Sequence, residues 1–193
     1  MKDDVAGLIL AGGRSRRLGG VDKGWQSYKG RPLVQHAMNQ LSACSEIIIS
    51  ANRNLDAYRK LDVKVVPDAR AGYQGPLSGI ESAMKECRSA YLYVVPCDVL
   101  GVALDWQVEL LKQVQDTGSA WVGTRDSERL QPLLGLWSCS LLPVLTKYLD
   151  EGGRRVMEFV QPFEKYALAL PDDTHLLNLN TPEAFVAAEK KDD

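Results

Sequence analysis

Four short runs, apolar at almost every position, decide what this chain can fold into. They cover residues 5–10, 46–50, 63–66 and 90–95, rich in Val and Ile and with little polar–apolar alternation. A strand that is apolar on both faces must be covered on both faces, which is the habit of a parallel sheet flanked by helices. Helical candidates at 32–41, 56–61 and 78–87 separate the runs. Pro32 suits a first helical turn. Ser78 can cap its helix, because its oxygen can take an orphan amide hydrogen. The alternation continues with a helix near 105–116 and strands near 120–124 and 133–137. Helices at 140–149 and 154–160 come next, split by Glu151-Gly152-Gly153. Strands near 166–170 and 176–179 lead to a last helix opened by Thr181-Pro182-Glu183. The expected fold class is α/β, a three-layer α/β/α sandwich with a mostly parallel sheet and right-handed crossovers.

With 193 residues, 45% of them hydrophobic, the chain is long enough for one domain with a sizeable core, so 1–193 is read as a single domain. The formal net charge is −2, which argues against a nucleic-acid binder with its basic excess. No apolar run reaches membrane-spanning length, and the opening MKDDVAGLIL is too short and acidic for a signal peptide. Cys44, Cys87, Cys97 and Cys139 form no C-x-x-C pair, and only two histidines accompany them, so a zinc site is not expected. Three of these thiols lie in apolar surroundings and are expected to be buried. A reducing, cytoplasmic location with no membrane partner is the resulting expectation.

In open α/β sheets ligands bind beyond the carboxyl ends of the strands. The residues just after each run therefore carry the functional reading. After the first comes AGGRSRRLGGVDKG, with Gly12, Gly13 and Gly20 and the cations Arg17 and Lys23. It matches neither a Walker A loop nor G-x-G-x-x-G. The physics is shared, however: glycines let a backbone approach phosphate with its N–H groups, and Arg and Lys neutralise charge. After the fourth run, Asp98 in VVPCDVLG can hold a Mg²⁺ that takes its other ligands from phosphates and water. After the third, Asp68 precedes Gly75-Pro76-Leu77-Ser78-Gly79, a helix start able to receive an anion or a ring edge. After the second, Ser50 and Asn52 could read a base, although an ordinary turn fits those residues equally well. Late in the chain, Asn178 and Asn180 fall on one side if Leu177 and Leu179 face the core. Arg154 and Arg155 could clamp a second anionic group. His36 and His175 have no nucleophile partner and read as structural or surface residues, and the KKDD tail as solvated.

Taken together, LAGGRSRRLGGVDKG, GPLSG, PCD, NLNTP and GGRRVM resemble the molybdenum cofactor guanylyltransferases, the MobA family, over nearly the whole chain and in order. Related cytidylyltransferases usually read LAAG where this chain reads LAGG. The resemblance implies a Rossmann-like fold of nucleotidyltransferase type, its N-terminal half nucleotide-binding and its C-terminal half contributing the acceptor side. It implies transfer of GMP from GTP to molybdenum-loaded molybdopterin, with Mg²⁺ as cofactor. Leu10, Ala11 and Gly12 match the segment that holds the nucleotide. Arg17, Gly20 and Lys23 match the phosphate loop, Asp68 a GTP-contacting aspartate, and Asp98 the magnesium ligand. Gly13 joins the nucleotide segment, while Gly75, Asn178 and Asn180 match positions near the site. Arg154, Arg155, Asn178 and Asn180 are the candidates for the pterin side. Ser50 departs from an asparagine the family can carry there, and Asn52 is the nearby substitute. Other proteins of molybdenum cofactor biosynthesis and recipient molybdoenzymes are the implied partners. Two other readings fit the same residues: a nucleotidyltransferase with a cytidylyl donor or sugar-phosphate acceptor, and a GTP-binding adaptor that does no chemistry.

Overall fold

The structure is a computed structural model and describes residues 5–13, 22–72, 74–127, 129–171, 174 and 176–190. Its elements run β1 Val5–Leu10, β2 Ser27–Tyr28, β3 Arg31–Pro32, α1 Leu33–Gln40, β4 Ile47–Ser50, α2 Leu55–Arg59, β5 Lys64–Val66, α3 Pro76–Glu86 and β6 Tyr91–Pro96. They continue with β7 Val99–Leu100, α4 Trp106–Thr117, β8 Trp121–Arg125, β9 Leu130–Ser138, α5 Leu142–Asp150, α6 Val156–Val160, β10 Leu168–Ala169, β11 Leu177–Asn178 and α7 Pro182–Lys190. Seven strands form the central sheet in the order β10-β8-β9-β6-β1-β4-β5. β6, β1, β4 and β5 are parallel to their neighbours within that group, and β10 is parallel to β8. β9 runs antiparallel to both β6 and β8. The sheet is thus mostly parallel. Among its described strands the reversal lies at β9, which succeeds β8 by a short turn without an intervening helix.

The unpatterned apolar runs do what their composition requires. Along each strand successive side chains enter opposite layers. Leu8, Ile48, Leu92 and Val94 pack with Leu77, Ile80 and Met84 of α3 and with Leu145 and Leu149 of α5. Ile9, Ile49, Tyr93 and Val95 pack with Val34 and Ala37 of α1 and with Leu110 and Val114 of α4. A third, smaller cluster joins Tyr28, Leu33, Leu100 and Leu179 under α7.

Several local expectations are corrected. α3 starts two residues before Ser78, with Gly75 at the N-cap and Pro76 in the first turn. Gly75 holds φ +86°, a conformation that glycine adopts without Cβ strain, and Pro76 supplies the helical φ of the next position. Ser78 is therefore inside the helix, its hydroxyl buried with no hydrogen-bond partner, and does not act as the cap. Pro32 stands one position early, as the extended N-cap of α1. Of the thiols, Cys97 is buried while Cys44, Cys87 and Cys139 are half-buried. α6 begins at Val156, so Arg154 and Arg155 precede it.

The β8–β9 hairpin depends on a facing pair of glycines, Gly123 and Gly135, beside an irregularity between Gly123 and Thr124. A Cβ on Gly135 would lie 2.5 Å from the Val122 carbonyl oxygen and 2.7 Å from Gly123 Cα. Both are main-chain atoms and cannot rotate away. Gly135→Ala is expected to destabilise the protein by about 1–3 kcal/mol, read as a lower urea midpoint with an unchanged m-value.

Candidate functional site

Four strand ends converge on one crevice of about 420 Å³. Gly12 and Gly13 come directly after β1, Ser50 closes β4 with Asn52 just beyond it, and all four line the cavity. Asp68 and Gly72 come from the loop after β5, and Gly75, Pro76 and Gly79 from the start of α3. Leu10 and Pro96, the last residues of β1 and β6, and Leu133 of β9 complete the lining. The cavity volume suits a ligand of nucleotide size.

The wall is cross-braced by hydrogen bonds between segments. Ala11 donates its N–H to the Ser50 carbonyl (2.9 Å), and Cys97 donates to the Leu10 carbonyl (3.1 Å). Arg53 reaches the Gly13 carbonyl at 2.9 Å. Asn52 and Asp68 form a reciprocal pair: Asn52 Nδ2 donates to Asp68 Oδ2 (2.9 Å), and the Asp68 N–H donates to Asn52 Oδ1 (2.9 Å). Burial, only partly offset by the Asn52 bond, pushes the Asp68 carboxyl up from its ordinary value. Ser50 is nearly buried and lies against Gly79 of α3.

Two residues beyond Pro96 of the crevice wall, a charged cluster forms. Asp98 stands two residues after β6 and meets the ammonium of Lys23. The same ammonium donates to Asn180 Oδ1. Asn180 Nδ2 in turn donates to Asn178 Oδ1. Lys23 is 75 residues from Asp98 and 157 from Asn180 in sequence. The late segment is docked by β11 pairing with β7 and by the Leu179 N–H donating to the Asp98 carbonyl at 2.9 Å. Leu179 is buried and Asn178 exposed, as the spacing of the leucines and asparagines predicts.

Lys23 owes its position to a residue that sequence reasoning missed. Asp22 is buried, and its Oδ1 accepts from Tyr58 Oη (2.7 Å) and from the Gly24 N–H (3.2 Å). Its Oδ2 accepts from Asn54 Nδ2 at 3.0 Å. Asp22 thus caps the short turn Lys23–Trp25 and ties it to α2. Gly72, Pro96 and Leu133 were missed as well; nothing in the sequence marks an apolar residue of a neighbouring strand as a cavity wall.

The pterin-side candidates separate. Arg154 donates to Gln74 Oε1 and to the Leu149 carbonyl (2.7 Å), fixing the turn after α5 beside Gly75. Arg155 lies at the surface, paired with Glu158 at 2.8 Å. His36 is structural, its Nε2 bonded to the Tyr28 carbonyl at 2.9 Å. Arg17, Gly20, His175 and most of the KKDD tail lie outside the described residues. No group of three or more His, Cys, Asp or Glu side chains gathers for a metal among the described residues. A cation at Asp98 would therefore draw most of its ligands from a bound polyphosphate and water. No helix among the described residues is long and apolar enough to cross a membrane.

Comparison with known proteins adds to this geometry. The family model described as MobA-like NTP transferase domain matches residues 7–189. A molybdenum cofactor guanylyltransferase of Ralstonia nicotianae is 36% identical, over 92% of this chain and 92% of that protein. Among solved structures, molybdopterin-guanine dinucleotide biosynthesis protein A of Archaeoglobus fulgidus superposes with TM-score 0.77 at 18% identity, covering 96% of this chain and 97% of that one. A CTP:phosphocholine cytidylyltransferase of Streptococcus pneumoniae superposes with TM-score 0.74 at 13% identity, covering 98% and 100%. At these identities the two structures share the fold alone with this chain, a Rossmann-like nucleotidyltransferase architecture.

The Asp22 anchor yields a test. Tyr58→Phe removes one of the three donors to a buried carboxylate found among the described residues and keeps the ring. It is expected to cost about 1.5–3 kcal/mol, measured by urea denaturation.

Proposed function

The chain belongs to the MobA-like NTP transferase family, and from that premise we propose that it performs the reaction of its molybdenum cofactor guanylyltransferase relatives. GMP passes from GTP to the terminal phosphate of molybdenum-loaded molybdopterin. An acceptor phosphate oxygen attacks the α-phosphorus, the bond to the bridging α–β oxygen breaks, and pyrophosphate leaves. The observation that carries this reading is the meeting of Lys23, Asp98 and Asn180, from three distant segments, beside a strand-end crevice of nucleotide size.

In this reading the crevice holds the guanosine. Asp68 faces it with a carboxylate suited to the paired N–H donors of a guanine edge, and Ser50 and Asn52 complete that wall. Leu10, Ala11, Gly12, Gly13 and Gly75 let the nucleotide approach the backbone. Lys23, with Arg17 and Gly20 of the same loop, receives the triphosphate. Arg154, Arg155, Asn178 and Asn180 belong to the acceptor half, and molybdopterin is the second substrate.

The donor set at Asp98 fits a divalent cation, since a carboxylate and an amide oxygen already converge there on one positive group, the Lys23 ammonium. When bound, Mg²⁺ would supply charge stabilisation at the α-phosphate and the departing pyrophosphate. Asp98 and Asn180 are the residues to hold it. With a cation held there, the Lys23 ammonium would be free to pair with phosphate oxygens. The acceptor is itself an anion and needs no general base. The protein supplies alignment for in-line attack and positive potential.

Pyrophosphate release from GTP, Mg²⁺ and molybdenum-loaded molybdopterin tests the reaction, and the adaptor alternative requires none. Asp98→Ala is expected to lower turnover roughly 10²-fold or more while leaving the melting temperature near wild type. Near-normal turnover in that variant would remove the metal role. Asp68 adds a pH dependence. Its carboxyl is raised, so on acidification it takes up a proton at higher pH than an ordinary aspartate, losing its charge and turning one acceptor oxygen into a donor. GTP affinity, measured by titration calorimetry, is expected to fall as pH drops through the range just above ordinary carboxylate values. Asp68→Asn should bind more weakly at neutral pH and lack that dependence.

A further inference from the structure

Behind the crevice wall lies a charged network that the proposed reaction does not use. Glu81 of α3 is fully buried, with 0% of its surface exposed. Arg70, two residues after Asp68, grips it with both arms: Nε to Oε2 at 2.7 Å and one terminal nitrogen to Oε1 at 2.9 Å. Thr146 Oγ1 donates to Oε1 at 2.9 Å, and the Lys85 ammonium stands 3.1 Å from it. The guanidinium also reaches the carboxylate of Asp150 (2.7 Å), the last residue of α5, and the Thr146 carbonyl (3.3 Å) within it. Beside it, the Ala69 N–H donates to Ser82 Oγ of α3 at 2.8 Å.

The loop after β5 carries two crevice-lining residues, Asp68 and Gly72, and has no ladder of its own. Its order must come from side-chain anchors. Asn52 holds one end and Ser82 the middle, both by neutral groups on one side of the bond. The charged anchor is Arg70. We propose that Arg70, seated on buried Glu81, is a positioning residue that preorganises the Asp68–Gly72 wall for the nucleotide. A loop fixed before binding does not have its conformational entropy removed by the ligand, so the gain appears as affinity. The geometry is specific to arginine, because a planar fork meets both carboxylate oxygens and still reaches Asp150. Arg70 holds the Glu81 carboxyl down at about 2, so the pair stays ionised at working pH. The inference rests on the crevice being the GTP site.

Hydrogen exchange on the wild-type protein tests preorganisation directly. The amides of Asp68 and Ala69, which donate to Asn52 and Ser82, are expected to be protected before nucleotide is added. Free exchange there, with protection only after GTP, would overturn the proposal. Kinetics provide the second arm. In Arg70→Lys, and in the double variant Arg70→Leu/Glu81→Leu that leaves no buried charge unpaired, KM for GTP is expected to rise about tenfold with kcat within about threefold. Wild-type KM in either folded variant would reduce the pair to a stabilising contact and end the proposal. Titration of the wild type with GTP separates the two readings. If it binds no GTP the crevice assignment fails, while exchange at Asp68 and Ala69 still reports on the order of the loop.

Discussion

The Lys23 ammonium held between Asp98 and Asn180 is the contact on which the rest of the site depends. It joins the turn after the glycine loop, the end of β6 and the segment that leads into α7. Each arrives by a different structural route. Asp98 is delivered by β6, a central strand parallel to β1 and antiparallel to β9, with Leu92, Tyr93, Val94 and Val95 all buried. Asn180 is delivered by β11, which pairs with β7 directly after Asp98. Lys23 is delivered by Asp22, a buried carboxylate that ties its turn to Tyr58 and Asn54. The two aspartates at this end of the sheet thus divide the work: one orients the lysine's backbone and the other takes its charge.

The strand ends were legible because their physics is local. A run that is apolar at every position must be sandwiched, and the sheet rule then singles out the residues just beyond each run. That logic reaches Gly12, Gly13, Ser50, Asn52, Asp68 and Asp98 from sequence alone; the first five line one crevice, and Asp98 meets Lys23 two residues beyond Pro96 of its wall. Asn178 and Asn180 are reached through the buried leucine at 179, again a local period. The hidden part depends on long-range pairing between single polar residues. Arg70 and Glu81 carry no motif. Glu81 reads as an ordinary charged helical residue until α5 covers it and Thr146 and Arg70 close over its oxygens. Asp22 likewise pairs with a tyrosine 36 residues away. Ser78 misled for a related reason: the cap rule scores a residue type, whereas Gly75 and Pro76 set the helix start by backbone conformation.

A thiol stands beside the charged cluster, and its state bears on how the chemistry must run. Cys97 precedes Asp98, is buried, and has its pKa pushed far up, chiefly by burial and further by the Asp98 charge. A protonated, water-excluded thiol is a poor nucleophile, since the thiolate is the attacking form. Asp98 itself is committed to a cation, whether the Lys23 ammonium or a metal with nucleotide. The groups at this end of the sheet are therefore arranged to bind and neutralise anions, and none of those described is poised to attack phosphorus. Such a site favours direct transfer between two phosphates over a covalent enzyme intermediate. In that case the barrier lies in bringing two anions together, and positive charge positioned at the strand ends is the means of lowering it.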